Sequence, residues 1–229
     1  MVLTADELEV VRLSLKVAAW GTLASLPVAL ALAFVLGRLR FPGKTLLDGI
    51  VSLPLVLPPV VTGYFLLVGF GAQGAIGAFL ERHFGLVFAF RWTGAALASA
   101  IMGLPLAVRA MRQAVEAVDV RLEAAAATLG ANRAWVFLTV TLPLVLPGVV
   151  NGLLLSFARS LGEFGATVTF VSNIPGETRT IPLAIYTYTQ VPSGDAQALR
   201  LCFVSIALSL AALVASELLL RATRRRILG

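Results

Sequence analysis

Charge is scarce in this chain: Asp, Glu, Lys and Arg make up 13% of its 229 residues, against 59% hydrophobic. Mean hydropathy is +0.92, more apolar surface than a water-soluble globule of this length can hide. A lipid bilayer must act as its solvent. Cysteine and histidine are nearly missing, with one of each. The lone Cys202 excludes an intrachain disulfide and reads as a packing residue. The solitary His83 stands beside Glu81 and Arg82, with no second histidine or cysteine at ligand spacing, and reads as a loop residue. No G-x-S-x-G or H-E-x-x-H pattern occurs, so the chain offers no catalytic constellation and no metal site. Gly43-Lys44-Thr45 resembles the end of a phosphate-binding loop. The first glycine of that motif would fall where Arg38 stands, however, and Gly37 is one place too early.

Long apolar runs are what the chain does have. A helix needs about 20 apolar residues to cross roughly 30 Å of hydrocarbon. Five stretches approach that length: 17–36, 46–70, 93–108, 135–157 and 201–220. They predict an all-α, polytopic membrane bundle of about five transmembrane helices, with six helical segments as the upper count, in a single transmembrane domain covering 1–229. The N-terminus opens with acids, its apolar run is too long for a secretory signal, and it is expected to be retained as a helix.

Orientation is expected to follow the cations, which are retained on the cytoplasmic side in short loops. Arg38, Arg40 and Lys44 fall in the first loop; Arg109, Arg112, Arg121 and Arg133 in the third; Arg221, Arg224, Arg225 and Arg226 in the tail. All share one side if the N-terminus lies outside and the C-terminus in the cytoplasm. The other cations, among them Arg12, Lys16 and Arg200, are matched by acids, so the net charge of +6 sits on the cytoplasmic face. A pI near 10.4 therefore needs no nucleic-acid partner.

Ser52-Leu-Pro-Leu-Val-Leu-Pro-Pro-Val-Val-Thr-Gly63 recurs as Thr141-Leu-Pro-Leu-Val-Leu-Pro-Gly-Val-Val-Asn-Gly152. Prolines prevent regular backbone bonding, so both copies predict equivalent entrances into spans two and four. Before the second copy, 117–130 carries Asp119, Arg121 and Glu123 among apolar residues and alanines and ends in a glycine suited to a helix C-terminus. Two readings stay open: a docking peg for another protein, or an interfacial helix resting on lipid.

Glu123-Ala-Ala-Ala-Ala-Thr-Leu-Gly130, followed by Val140-Thr-Leu-Pro143, resembles the E-A-A…G…I-x-L-P signature of ABC importer permeases. The runs Phe157-Ala-Arg-Ser-Leu-Gly-Glu-Phe-Gly-Ala166 and Phe170-Val-Ser-Asn-Ile-Pro-Gly-Glu-Thr-Arg-Thr-Ile-Pro182, with Phe41-Pro-Gly-Lys-Thr45, resemble the permeases of molybdate importers. The resemblance implies a MetI-like fold and a homodimer in a bacterial or archaeal plasma membrane. Two cytoplasmic ATPase subunits would hold ATP and Mg, this chain would hold no cofactor, and a soluble oxyanion-binding protein would dock outside. The cargo it implies is molybdate, with tungstate and sulfate as alternatives. It assigns ATPase coupling to the cytoplasmic region 117–133, through Glu123, Ala124, Ala125, Ala126 and Gly130, with Leu142 and Pro143 behind. The signature's glutamate position holds Ala124 here. Glu123 lies one residue earlier, rotated by about 100°, and Ala125, Ala126 and Gly130 stay in frame.

A hydrated dianion cannot cross hydrocarbon unaided, so a path needs small, hydroxyl-bearing or cationic positions. Thr62, Gly63, Asn151, Gly152, Ser156 and Arg159 are the candidates, although small and polar residues equally mediate helix packing. Arg159 and Glu163 are spaced for an i,i+4 ion pair. Residues 162–198 are expected to form an outer loop or re-entrant segment. Glu163, Asn173, Glu177 and Arg179 there are candidate contacts at the outer mouth or to the binding protein, and Tyr186 and Tyr188 alternatively suit an aromatic belt. The rival class is an ion-coupled carrier, which places carboxylates near the membrane midplane; Asp48 and Glu217 are terminal.

Overall fold

A computed structural model describes the backbone of residues 3–228, and the side chains of these except 216 and 220–228. Every element among the described residues is helical. The first, α1 (Ala5–Arg38), starts well before the apolar run because its terminus is capped on both sides. Thr4 Oγ1 accepts from the Glu7 amide, and Glu7 Oε2 accepts from the Thr4 amide at 2.8 Å, a reciprocal arrangement that satisfies two free donors.

The expected second span is not one helix. It consists of α2 (Lys44–Val56) and α3 (Pro59–Phe70), bent by 110°. Each residue before a proline is pushed out of the helical region. Leu57 precedes Pro58 and has ψ 141°; Pro58 precedes Pro59 and has ψ 131°. Two consecutive extended residues end one helix and start another. In the second copy of the repeat, Gly148 replaces the second proline, and α8 (Leu142–Leu161) runs unbroken through Pro147. The two copies are alike in sequence and unlike in shape.

A short helix, α4 (Ala75–Phe84), carries His83, which is therefore helical and stacks on Phe79 at 4.3 Å. The third span is longer than expected: α5 (Trp92–Ala117) passes through Gly103 and Pro105 without breaking. It is the centre of the bundle, with Ala95, Ala98, Met102, Met111 and Val115 fully buried. Then follow α6 (Val120–Thr128), α7 (Arg133–Val136) and a π-helical turn, Phe137–Thr141, that leads straight into α8. Residues 162–198, the expected outer segment, contain two short helices, α9 (Gly165–Val171) and α10 (Ile181–Thr189), and α11 (Asp195–Leu228) follows. The side chains of the tail cations Arg221, Arg224, Arg225 and Arg226 lie outside the described residues.

Small residues set the close approaches. A Cβ on Gly21 of α1 would lie 2.7 Å from Ala96 O, and one on Gly152 of α8 would lie 2.9 Å from Ala107 O, so these helices meet backbone to backbone. Pairing runs Gly21 with Ala96 and Gly37 with Val115, which makes α1 and α5 parallel. Gly103 faces Ser156 and Gly148 faces Ala114, which makes α8 antiparallel to α5. One end of the bundle then gathers Arg38, Asp48, Arg112 and Glu123, the other Glu7, Glu163, Glu177 and Arg200. Between them lies an apolar middle built on Ala29, Ala33, Met111, Val145 and Val149 and on Val17, Ala98, Met102 and Phe170.

Candidate coupling face and translocation path

The link between α5 and α8 is a surface helix with defined ends. Asp119 caps α6, its Oδ1 accepting from the Arg121 amide at 2.8 Å, and Gly130 reverses the chain with φ 90°, a backbone conformation that favours glycine. Asn132 caps the next turn, accepting from the Trp135 amide at 2.9 Å. No residue of α6 is buried. Leu129 is 89% exposed, and Val120 and Leu122 also face outward. Of the sequence candidates, Ala124, Ala125 and Gly130 are exposed and Ala126 is half-buried, while Leu142 and Pro143 are half-buried in the first turn of α8. An open groove of about 440 Å³ lies among α1, α6, α7 and the π turn, lined by Phe34, Arg38, Glu123, Ala127, Arg133 and Thr141 among others.

Glu123 departs from the outward-facing role. Its Oε1 lies 2.8 Å from Arg38 Nη2 at the end of α1 and accepts from Thr141 Oγ1 at 2.7 Å. The one-residue displacement visible in the sequence is what turns it inward. Thr141 sits in the π turn, just before Pro143. Proline supplies no donor to the preceding turn and crowds the carbonyl four residues back, and the wider register upstream accommodates it: the Leu142 amide bonds Phe137 O, five residues back.

Four path candidates, Thr62, Gly63, Gly152 and Ser156, are buried within this chain. Thr62 and Gly63 are buried, and a Cβ on Gly63 would lie 2.5 Å from Ala166 O of α9. Gly152 contacts α5 as described. Ser156 is fully buried against Gly103, and neither Ser156 Oγ nor Thr62 Oγ1 has a hydrogen-bond partner. Asn151 and Arg159 remain partly exposed. The expected pair is present, with Arg159 Nη1 2.7 Å from Glu163 Oε2; the contact is ionic and off the hydrogen-bonding line. Glu163 is not at an open mouth but buried, and its Oε1 accepts from the Ala166 amide at the start of α9 at 2.9 Å.

The other outer candidates hold their own segment together. Asn173 donates to Thr187 at 2.7 Å and accepts from Arg179 at 2.9 Å. Glu177 Oε1 accepts from the Trp92 amide at the start of α5 at 3.3 Å, and Lys16 lies 3.5 Å over the Trp92 ring, a cation–π contact. Glu7, fully buried, pairs with Arg200 at 2.8 Å and joins the starts of α1 and α11. Sequence reading missed this pair, and Arg38 with Glu123, because partners 193 and 85 residues apart leave no local spacing signal. Among the described residues, no three His, Cys, Asp or Glu side chains gather as a metal site requires.

Residues 26–225 match the family of binding-protein-dependent transport system inner membrane components. The chain belongs to that family. It is 59% identical over 226 residues to the molybdenum transport system permease protein ModB of Escherichia coli (strain K12), covering 99% of both chains. It is 54% identical to ModB of Haemophilus influenzae over 96% of each. Solved structures of similar fold include a bacterial ABC transporter involved in the import of the acidic polysaccharide alginate, with a TM-score of 0.70 at 16% identity, over 97% of this chain and 80% of that one. The MetNI methionine ABC transporter in an inward-facing form gives 0.66 at 16%, over 95% and 94%. This is the all-helical ABC permease fold, with four long apolar helices and one bent pair as the candidate spans among the described residues. In this family member, exposed α6 is the element between α5 and α8 that the bundle does not cover.

Proposed function

We propose that this chain is the inner-membrane subunit of an ATP-driven importer of molybdate, working as a homodimer. A separate ATPase docks on α6, and a soluble oxyanion-binding protein docks at the opposite end. The observation that carries this reading is the 59% identity to the molybdenum permease across 99% of both chains. The uncovered α6, with exposed Leu122, Ala125 and Leu129, supplies a surface of the kind that an ATPase groove accepts.

In this reading the end with Arg38, Arg112 and α6 faces the cytoplasm, as the cation distribution favours. ATP and Mg belong to the ATPase; this chain binds neither and catalyses no reaction. Selection among oxyanions rests with the binding protein. The dianion moves on the axis between two copies of the chain, where Asn151 and Arg159 are the path candidates that intrachain packing leaves partly exposed. Tungstate, of nearly equal size and charge, would follow the same route, and sulfate is the more distant alternative. An ion-coupled carrier is disfavoured because Glu7, Asp48 and Glu163 pair at the ends of the bundle rather than near its middle.

Ala125→Arg tests the docking face. The substitution is on an exposed position and keeps a strong helix former, so membrane insertion is retained and co-purification with the ATPase is lost. Full ATPase retention would refute α6 as the docking element.

A further inference from the structure

We infer that Glu123 is the mechanical link of this permease: it converts displacement of α6 into movement of α1 and α8 by holding Arg38 and Thr141 at once. The inference deepens the proposed function and rests on α6 being the ATPase contact.

Its basis is how little else ties α6 to the bundle. No α6 residue is buried, and an open groove of about 440 Å³ runs beside it, walled by α1, α7 and the π turn. The other side-chain bonds at α6 stay local: Asp119 with the Arg121 amide, and Thr128 with Ala125 O. Among the described residues, Glu123 alone makes side-chain hydrogen bonds from α6 to another helix. The backbone ties α6 to α5 at one end and to α7 at the other; between those ends, the Glu123 carboxylate is what fastens it to α1 and to the π turn.

The two fastening points are suited to movement. Arg38 is in the last turn of α1, beside the loop to α2. Thr141 ends the π turn, where the five-residue hydrogen bond replaces the usual ladder immediately before Pro143 and Pro147. Such π turns are rare and are frequent at functional sites. A pull on Thr141 acts where α8 bends most easily, and the same carboxylate drags the end of α1.

Magnitude separates this role from a structural one. The Arg38 and Glu123 side chains are each 24% exposed, and a partly hydrated pair contributes little to static stability. Removing it should leave the fold while uncoupling motion.

The experiment uses the complete transporter, chain and ATPase together, in proteoliposomes with the binding protein, and reads molybdate imported per ATP hydrolysed. Glu123→Ala removes both bonds and keeps a strong helix former; the ratio falls about fivefold or more, the low end of typical coupling free energies, while the ATPase still co-purifies. Thr141→Val, nearly isosteric, lowers the ratio in the same direction. Exchanging the charges, Arg38→Glu with Glu123→Arg, restores most of it, which a merely lost cap or cavity would not allow. An unchanged ratio in Glu123→Ala overturns the inference. So does loss of ATPase association in Glu123→Ala, which would make Glu123 a docking contact. If Ala125→Arg retains the ATPase, the docking reading fails and this link fails with it; if Ala125→Arg releases the ATPase but Glu123→Ala keeps the ratio, only the link fails.

Discussion

Gly103 and Ser156 form a contact that separates packing from transport. A Cβ on Gly103 would lie 2.3 Å from Ser156 Oγ, 3.2 Å from Ser156 O and 3.3 Å from its Cα. The hydroxyl must be forced out of its rotamer, and the backbone atoms give way only if the helices move. Gly103→Ala therefore forces α5 and α8 apart by a few tenths of an ångström, an overpacking cost of about 1–3 kcal/mol. For a chain of this size that lowers Tm by roughly 2–4 °C per kcal/mol. Ser156→Ala removes a buried hydroxyl that has no partner, so its own effect is neutral or stabilising, and it also removes the closest clash. The double variant should then be less destabilised than Gly103→Ala alone, with an interaction energy of at least about 0.5 kcal/mol. Thermal unfolding of the four proteins in detergent measures the cycle, and molybdate uptake on the same set measures function. Strict additivity would refute the contact. Uptake abolished by Ser156→Ala with Tm unchanged would return Ser156 to the path.

Glu7→Ala leaves the Arg200 guanidinium without its buried partner and removes half of the α1 cap. A loss of about 1.5–3 kcal/mol is expected from the charged hydrogen bond, read as a lower Tm in detergent that Arg200→Ala in the same chain partly relieves. Gly148→Pro recreates in α8 the proline pair that breaks α2 from α3. It should cost about 3 kcal/mol or more beyond the overpacking that any side chain causes there, since a Cβ on Gly148 would lie 2.2 Å from Ala114 Cβ, and abolish uptake; Gly148→Ala carries the overpacking alone and keeps the helical content by circular dichroism. Arg159→Gln strands the buried Glu163 carboxylate and loosens α9; greater protease sensitivity in the outer segment is expected, and unchanged uptake would remove Arg159 from the path.

Composition and periodicity made the membrane class and the long apolar helices legible, because a long apolar run has only one solvent. The terminating Gly130 and the alanine-rich run before it placed α6 within a few residues, since helix termination is local chemistry; the Asp119 cap went unread. Long-range packing was not legible. Gly63, Gly152 and Ser156 have the same small or polar character whether they face an ion or another helix, and only their neighbours Ala166, Ala107 and Gly103 decide. The twelve-residue repeat misled in an instructive way: one exchange, Pro59 for Gly148, separates a 110° break from a continuous helix. Glu123 was half-legible, because the one-residue displacement showed that it leaves the expected face but not that Arg38 and Thr141 wait where it turns.

Uptake of labelled molybdate into proteoliposomes decides the main question most directly, with binding protein outside and ATP enclosed at the face bearing α6. Accumulation that requires both this chain and its ATPase, and that disappears when ATP is omitted, is the expected result. Accumulation driven by an ion gradient with this chain alone would contradict it.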